Sequence, residues 1–273
     1  MTDSPLHADR PVGPPAAQPS ATLNSGGSIP LLGLGTWQAR GTEAYDATLR
    51  ALQLGYRHLD TAKMYGNEEQ VGLAMSDSGV PREDVFLTTK LPPDDAGREA
   101  ATLRESLSRL GTDHLDLWLI HWPPSRGAGV DTWRAFVDAH QSGAARAIGV
   151  SNYSAAQIDE LTRATGVTPS VNQIRWSPFL AEASVVAEHA ERGVVLEGYS
   201  PLKGGVLGDP VIAEVAAANG RTPAQVILRW HLEHGVVAIP KSADPDRIAE
   251  NLDVLDWSLP ASDVERIDGL SRA

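Results

Sequence analysis

The sequence predicts an α/β fold, a single (β/α)8 or TIM barrel that occupies residues 23–273. Eight short apolar segments of strand character alternate with segments of helical periodicity. No internal repeat or linker divides them, and 273 residues suit one barrel of about 250 residues. We expect an N-terminal β-hairpin and extra C-terminal helices to complete this fold.

The chain is expected to begin with a disordered leader, residues 1–22. This stretch is rich in Pro, Ala, Ser and Asp and lacks the apolar segment of a signal peptide. Cytoplasmic residence follows as the expectation, and a processed remnant is the alternative interpretation of the leader. A glycine-rich turn at residues 24–28 then predicts a hairpin that covers one end of the barrel.

The alternation of strands and helices runs through the rest of the chain. Strands are predicted at 31–37, 57–59, 85–90, 115–121, 145–150, 170–173, 194–198 and 236–239. Helices are predicted at 42–54, 68–78, 97–110, 130–141, 181–192 and 261–270, with further helices starting after Ser154, Thr222 and Asp244. Ser154 with Gln157, and Thr222 with Gln225, each form a capping box, which marks the start of a helix.

A doubly wound nucleotide-binding sheet is the alternative fold. It calls for three glycines in the turn directly after the first strand, because the pyrophosphate approaches the backbone there. The sequence has Gly33 and Gly35 but lacks the third glycine. The barrel is therefore favoured.

Charge and composition exclude several classes of partner. The chain has 35 Asp and Glu against 23 Lys and Arg, a formal net charge of −12, which disfavours nucleic acid and anionic membranes. No apolar run approaches the ~18–20 residues that span a bilayer. The absence of cysteine excludes disulfides and thiolate metal sites. An anionic ligand would need a local basic pocket.

Four polar residues are expected to meet at the carboxyl ends of three adjacent strands. Strands two, three and four end at Asp60, Lys90 and His121, and Tyr65 lies in the loop after the second strand. Catalytic groups of this barrel lie at those strand ends. Each residue alone would be explained by a loop cap, a solvated rim cation or a buried polar group, but four on neighbouring strands indicate a site.

The chemistry of these side chains indicates proton donation to a carbonyl oxygen. A free tyrosine, with a pKa near 10, is a poor acid at neutral pH. We expect the Lys90 ammonium to lower the pKa of Tyr65, and Asp60 to keep Lys90 charged and oriented. His121 would hold the carbonyl oxygen beside the phenol. No side chain delivers hydride, so the site requires a nicotinamide cofactor.

A series of ordered motifs resembles the aldo-keto reductase superfamily, most closely its short bacterial members of the 2,5-diketo-D-gluconate reductase type. The matching segments lie at residues 32–37, 55–68, 89–91, 119–123, 149–154, 171–173, 199–202, 239–242 and 247–251. They cover essentially all of residues 29–271. The resemblance implies a catalytic tetrad of Asp60, Tyr65, Lys90 and His121, with NADPH as cofactor.

The resemblance also implies a role for residues that would contact NADPH. Ser151, Asn152 and Gln173 would bind the carboxamide, and Tyr199 would stack on the nicotinamide. The other implied cofactor contacts are Gly35, Thr36 and Asp60, then Ser200 and Leu202 at the pyrophosphate, Lys241, Ser242 and Arg247 at the 2′-phosphate, and Glu250 and Asn251 at the adenine. Lys241 and Arg247 near a helix N-terminus suit an anion site, whereas two solvated cations are the alternative.

Aromatic residues at the predicted mouth form the implied substrate site together with His121. Trp37 and Trp122 would be pocket walls, although with seven tryptophans in the chain a core position is the alternative for each. The short loop 122–129 and the end of the chain at residue 273 predict an open pocket.

The sequence departs from the family pattern at a few positions near the site. The segment after Gln173 is Arg-Trp-Ser-Pro, at 175–178, and Lys203 stands where glycine is common and could contact the pyrophosphate. Asp244 would either repel the 2′-phosphate or cap the helix that begins at Pro245.

We therefore predict NADPH-dependent reduction of small aldehydes, α-ketoaldehydes and keto sugars by a monomeric enzyme that binds neither nucleic acid nor membrane. One rival is a nucleotide-sensing regulatory subunit with little turnover. Another is a metal-dependent barrel hydrolase that starts from His58 and Asp60, which lie at i and i+2 on one strand. Lys90 among the ligands argues against the metal.

Overall fold

The computed structural model describes residues 18–272. It begins with an antiparallel hairpin of β1 (Ser20–Thr22) and β2 (Ser28–Pro30), closed by the predicted glycine-rich turn. The predicted leader overlaps this hairpin. Residues 1–17 lie outside the described residues. Ser20–Thr22, at the end of the predicted leader, is instead a strand that pairs with β2, with Ala21 opposite Ile29.

Eight parallel strands follow and form a nearly closed barrel, as predicted. They are β3 (Leu34–Gly35), β4 (His58–Asp60), β5 (Phe86–Leu91), β6 (Leu115–Ile120), β7 (Ala145–Ser151), β8 (Val171–Arg175), β9 (Val195–Tyr199) and β10 (Val237–Ile239). Each strand pairs with the next in chain order. Bridges from Leu32 to Ala238 and from Gly35 to Lys241 connect the first strand to the last. This closure leaves no long free sheet edge among the described strands.

Helices surround the barrel and agree closely with the predicted ones. They are α1 (Thr42–Leu54), α2 (Glu68–Asp77), α3 (Glu99–Leu110), α4 (Val130–Gln141), α5 (Ala155–Thr165), α6 (Ala183–Glu191), α7 (Pro210–Asn219), α8 (Pro223–Glu233), α9 (Pro245–Leu252) and α10 (Ala261–Asp268). Both predicted capping boxes are present, at the starts of α5 and α8. Among the described helices, none is long and apolar enough to cross a bilayer.

Helix α7 was not predicted from the sequence. Its segment is apolar on most sides and therefore lacks the one-sided periodicity that marks a surface helix. Its ends carry the missed signals, because Asp209 accepts a hydrogen bond from the Val211 N–H, Pro210 occupies the first turn, and Gly220 ends the helix.

Close packing of α2 on α3 depends on Gly72. A Cβ at this position would lie 2.6 Å from the Leu110 carbonyl oxygen, and backbone atoms cannot move aside. We expect Gly72→Ala to lower the free energy of unfolding by about 1–3 kcal/mol, as overpacking does. Gly208→Ala is the control, because nothing lies within 4 Å of its Cβ. Urea unfolding of both variants measures the difference, and equal stabilities would refute the packing argument.

Candidate active site

The four predicted catalytic residues meet in one cleft at the carboxyl ends of the strands. Asp60 ends β4, Lys90 lies near the end of β5, and His121 directly follows β6. Tyr65 ends a short 3₁₀ turn, Lys63–Tyr65, after β4. Asp60, Tyr65 and His121 line a cleft of about 400 Å³, with Lys90 buried beneath it.

Asp60 and Lys90 form a buried ion pair. The Lys90 Nζ donates to both carboxylate oxygens of Asp60, at 2.6 and 2.7 Å, and to the Thr61 carbonyl oxygen at 2.9 Å. Burial lowers the pKa of Lys90, but the charge of the Asp60 carboxylate and the hydrogen bonds to it are the main causes that raise the pKa overall. Lys90 is therefore a charged ammonium at neutral pH, as predicted.

Tyr65 lies above this ion pair, with the Lys90 Nζ 5.2 Å from the centre of its ring. Burial is the largest influence and raises the pKa of Tyr65, and the nearby positive charge of Lys90 lowers it by less. The net pKa of Tyr65 lies above the ordinary value, so the predicted net lowering is wrong. The direction of the Lys90 effect is as predicted. Tyr65 holds its proton at neutral pH and can donate it.

His121 is a neutral imidazole beside the phenol. Its ring meets the Tyr65 ring edge-on, with centroids 5.7 Å apart. Burial, followed by the charge of Lys90, lowers the pKa of His121 to about 3. Its Nδ1 is buried with no hydrogen-bond partner within residues 18–272. A buried N–H without an acceptor is rarer than an unpaired acceptor, so the proton belongs on Nε2.

Lys63, which has no role predicted from the sequence, anchors the turn that carries Tyr65. Its Nζ donates to Asp95 at 2.7 Å and to Glu105 at 2.5 Å. Asp95 also accepts a hydrogen bond from Thr102 in α3. These contacts connect the turn to α3. They could not be predicted from local sequence, because the fold brings together three separate segments: the turn, Asp95 and α3.

Gln173 and the unpredicted Glu197 lie next to the predicted catalytic residue Asp60. The amide nitrogen of Gln173 donates to Asp60 Oδ2 at 2.8 Å and to Glu197 Oε2 at 2.9 Å. Glu197 is fully buried in β9. An acid inside the apolar strand 194–198 was the sequence signal that could have identified it.

The other residues predicted to hold the nicotinamide form a hydrogen-bonded row along the cleft. The Tyr199 hydroxyl donates to Asn152 Oδ1 at 3.0 Å, and Asn152 Nδ2 donates to Ser151 Oγ at 2.9 Å. Ser151 in turn donates to the Gln173 carbonyl oxygen at 2.8 Å. Ser200, Leu202 and Gly35 line the same cleft, and Thr36 is buried with its hydroxyl on the Asp60 carbonyl oxygen.

Backbone strain is concentrated at this cleft. Of the residues that the structure describes, the non-glycine residues with positive φ are Gln38, Asn152 and Ser200, at 65°, 64° and 56°. All three line the cleft. Such conformations cost free energy and persist at positions that bind ligands.

At the predicted 2′-phosphate site, Asp244 and Glu43 occupy donors that a phosphate would otherwise meet. Asp244 caps α9 by accepting from the Asp246 and Arg247 N–H groups, so these donors are not available to an anion. The capping role considered for Asp244 is thus confirmed. Lys241 donates to Glu43 at 2.9 Å, whereas the exposed Arg247 guanidinium has no ion pair within the described chain.

The remaining predicted contacts lie close to this end of the cleft. Ser242 and Asn251 are buried. The Ser242 hydroxyl bonds to the Asp244 backbone, and Glu250 accepts a hydrogen bond from Thr222.

Trp37 and Trp122 lie at the mouth of the cleft, 44% and 46% exposed, so the core alternative is wrong for both. The core tryptophans include Trp118, Trp133 and Trp230. Lys203 also lines the cleft and places its Nζ 4.2 Å from the centre of the Trp37 ring.

The metal-hydrolase alternative finds no support in the geometry. Both Asp60 oxygens are occupied by Lys90 and Gln173. Within residues 18–272 no group of three or more His, Asp or Glu side chains has an arrangement that would hold a metal ion.

Comparison with known proteins identifies the family. The aldo/keto reductase family model matches residues 31–272. The chain belongs to the aldo-keto reductase family. This confirms the resemblance inferred from the motifs and makes the protein an oxidoreductase whose general chemistry is carbonyl reduction.

Individual relatives match over nearly the whole chain. An aldo-keto reductase of Mycolicibacterium smegmatis is 47% identical over 256 residues, which covers 92% of this chain and 93% of the relative. The 2,5-diketo-D-gluconic acid reductase B of a Corynebacterium is 45% identical, over 93% of this chain and 94% of its own. The crystal structure of a Gox0644 mutant in complex with NADPH has a TM-score of 0.89 and 39% identity, covering 94% and 95% of the two chains.

Proposed function

We propose that this aldo-keto reductase uses NADPH to reduce aldehydes and ketones to alcohols, with Tyr65 as the proton donor. The observation that carries the proposal is the buried Asp60–Lys90 ion pair beneath Tyr65 and His121. A neutral phenol over a fixed positive charge, beside a neutral imidazole, is suited to protonate an alkoxide as it forms.

Two features of the cleft suit a nicotinamide cofactor: its lining is polar, and strained backbone residues lie along it. Ser151, Asn152, Gln173 and Tyr199 would hold and orient the nicotinamide end, and the related structure that contains NADPH supports this choice of cofactor. Bound NADPH would supply the hydride. Ser200 and Leu202 would follow the pyrophosphate, and Lys241 with Arg247 would face the 2′-phosphate.

The side chains would then act on the carbonyl oxygen of the substrate. His121 Nε2–H and the Tyr65 hydroxyl would both donate to this oxygen and fix its position. As negative charge develops there, the Tyr65 hydroxyl would transfer its proton. Lys90 stabilises the phenolate that remains, and Asp60 keeps the ammonium in place through two short hydrogen bonds.

Small aldehydes, α-ketoaldehydes and keto sugars are the proposed substrates. Trp37 and Trp122 would form the walls at the mouth of the cleft. The relative named as a diketogluconic acid reductase supports a keto sugar or a keto-sugar acid. Monomeric state, cytoplasmic residence and the lack of nucleic-acid or membrane binding stay predictions from the sequence.

Arg247→Ala tests the choice of NADPH over NADH. The exposed Arg247 guanidinium is positioned to pair with a 2′-phosphate that NADH lacks. We expect NADPH affinity to fall about tenfold or more, the loss of one charge-assisted contact, with little change for NADH. Fluorescence titration of both cofactors with both proteins measures this. An unchanged NADPH-to-NADH ratio would show that Arg247 does not contact the phosphate.

A steady-state screen of aldehydes, α-ketoaldehydes and keto sugars tests the function itself. Carbonyl-dependent oxidation of NADPH is the expected result. A nucleotide-sensing subunit would bind NADPH without such turnover, and the complete, correctly assembled tetrad is the reason to expect turnover.

A further inference from the structure

Glu197 has no place in the proton transfer described above, although one side chain, that of Gln173, separates it from Asp60. It is fully buried in β9 and points into the barrel interior. Gln173 links it to Asp60, since one amide nitrogen donates to both carboxyl groups. Asp60 in turn holds Lys90, so Glu197 belongs to a continuous polar chain that ends below Tyr65.

The other oxygen of Glu197 faces His58. Oε1 lies 3.5 Å from His58 Nε2, the outer limit of a hydrogen bond, and has no closer partner within residues 18–272. The Nδ1 of His58 is 3.3 Å from the Pro30 carbonyl oxygen, which can only accept, so Nδ1 carries the proton. In the neutral imidazole, Nε2 therefore presents a lone pair, which lies 3.5 Å from Glu197 Oε1 and 3.5 Å from the Thr88 hydroxyl oxygen.

With His58 neutral, this geometry favours one of the two protonation states of Glu197. An ionised carboxylate would place an unpaired negative oxygen against a lone pair, inside a barrel that excludes water. A protonated Oε1 instead donates to His58 Nε2, and Oε2 still accepts from Gln173. One proton on Glu197 thus satisfies both residues.

We propose that Glu197 is a positioning residue of the active site, kept as a neutral carboxylic acid with its proton on Oε1 toward His58, so that Asp60 remains the single negative charge beneath Lys90. The proposal rests on the proposed carbonyl reduction for its kinetic part only. Glu197 acts through Gln173, Asp60 and Lys90 on the phenol of Tyr65.

The charges around Glu197 agree with this assignment. The titratable and polar side chains that face Glu197 from other strands are His58 and Asp60 of β4, Lys90 of β5 and Gln173 of β8. On β10 its register partner is the apolar Val237. Burial, followed by the negative charge of Asp60, raises the pKa of Glu197, and Gln173 and Lys90 offset this only partly. Burial lowers the pKa of His58 to about 3.

Ionisation of Glu197 would change the behaviour of Tyr65. A second negative charge in the barrel interior raises the pKa of Tyr65 as well as that of Lys90. In alcohol oxidation the Tyr65 phenolate must accept a proton, so this charge shifts the onset of oxidation to higher pH. A neutral Glu197 avoids this shift, which arises only at a pH high enough to ionise Glu197.

Infrared spectroscopy tests the protonation state without reference to activity. The spectrum of the full-length protein near neutral pH should contain the C=O stretch of a protonated carboxyl, and Glu197→Gln should remove that band. Asp116→Asn is the control, since Asp116 is bound by Arg82 and Arg146 at the opposite end of the barrel and should leave the band unchanged. Absence of the band in the wild-type protein would overturn the proposal.

The pH profiles of the two reaction directions test the positioning role. The glutamine amide has a donor for His58 and an acceptor for Gln173, as the neutral acid has, so Glu197→Gln should keep kcat/KM for reduction within about twofold at pH 6. In alcohol oxidation the variant should show a lower apparent pKa than the wild type, because it cannot ionise at 197. Glu197→Ala should lower kcat/KM for reduction by about tenfold, because it removes a partner that supports the site residues.

Two outcomes separate this proposal from the proposed function. Identical oxidation profiles for wild type and Glu197→Gln would contradict the positioning role. If the wild type instead reduces no carbonyl compound, the proposed function is refuted, and the infrared test of Glu197 protonation remains valid.

Discussion

Tyr65→Phe is expected to lower kcat for carbonyl reduction by about 10²–10⁴-fold, the usual contribution of a general acid. The variant keeps the ring that packs edge-on against His121 and lies above the Lys90 ammonium, and it removes only the hydroxyl that we propose as the proton donor. The free energy of unfolding should therefore change little. The affinity for NADPH should also change little, because no role in holding the cofactor is proposed for the Tyr65 hydroxyl.

Single-turnover and steady-state rates of NADPH oxidation with an aldehyde measure this effect, with fluorescence titration for cofactor affinity. Tyr45→Phe is the matched control. Its hydroxyl donates to Asp77 on the outer surface, so its loss should leave kcat near the wild-type value. Near-normal turnover in Tyr65→Phe would mean that another group donates the proton.

Lys90→Met should damage both activity and stability. The fully buried Lys90 ammonium balances the Asp60 charge through two hydrogen bonds. Without it, Asp60 remains as an unpaired buried carboxylate, which costs about 3–5 kcal/mol of unfolding free energy when one partner of a buried pair is removed. Activity should fall as far as in Tyr65→Phe, because the phenolate left by proton donation loses its stabilising charge.

The double variant Asp60→Asn with Lys90→Met separates the two effects. Removing both charges should restore part of the lost stability, since no unpaired charge remains. Activity should stay low, because the positive charge beneath Tyr65 is still missing. Urea unfolding and kcat of the two single variants and the double variant form a double-mutant cycle. Strictly additive losses of stability would show that Asp60 and Lys90 do not depend on each other.

Local signals were sufficient to predict most of the fold. Helices 42–54 and 130–141 were predicted with their observed ends, because glycine, capping and one-sided periodicity are local properties. The first strand was predicted as seven residues, but only Leu34–Gly35 is regular strand. Of the rest, Leu32 connects to Ala238 of β10 through an isolated bridge that depends on barrel closure. Helix α7 was missed because alanines occupy most of its solvent-facing side, so the sequence shows little contrast between that side and the buried one.

The positions of the catalytic side chains were predictable for a related reason. Parallel strands of a barrel end at one rim, so Asp60, Lys90 and His121 had to converge there once the strands were recognised. Electrostatics was not predictable in the same way. The net pKa shift of Tyr65 depends on burial that outweighs the Lys90 charge, and burial is a property of the closed cleft. Glu197 was overlooked because only the closed barrel brings β9 opposite β4.

The central claim is that this chain transfers hydride directly from NADPH to a carbonyl carbon while Tyr65 supplies the proton. NADPH deuterated at both C4 positions tests that claim with one measurement, mass spectrometry of the alcohol product. We predict one deuterium at the carbinol carbon for each cofactor oxidised by the wild type, and almost no alcohol with Tyr65→Phe. Alcohol without deuterium, or cofactor binding with no alcohol formed, would contradict the claim.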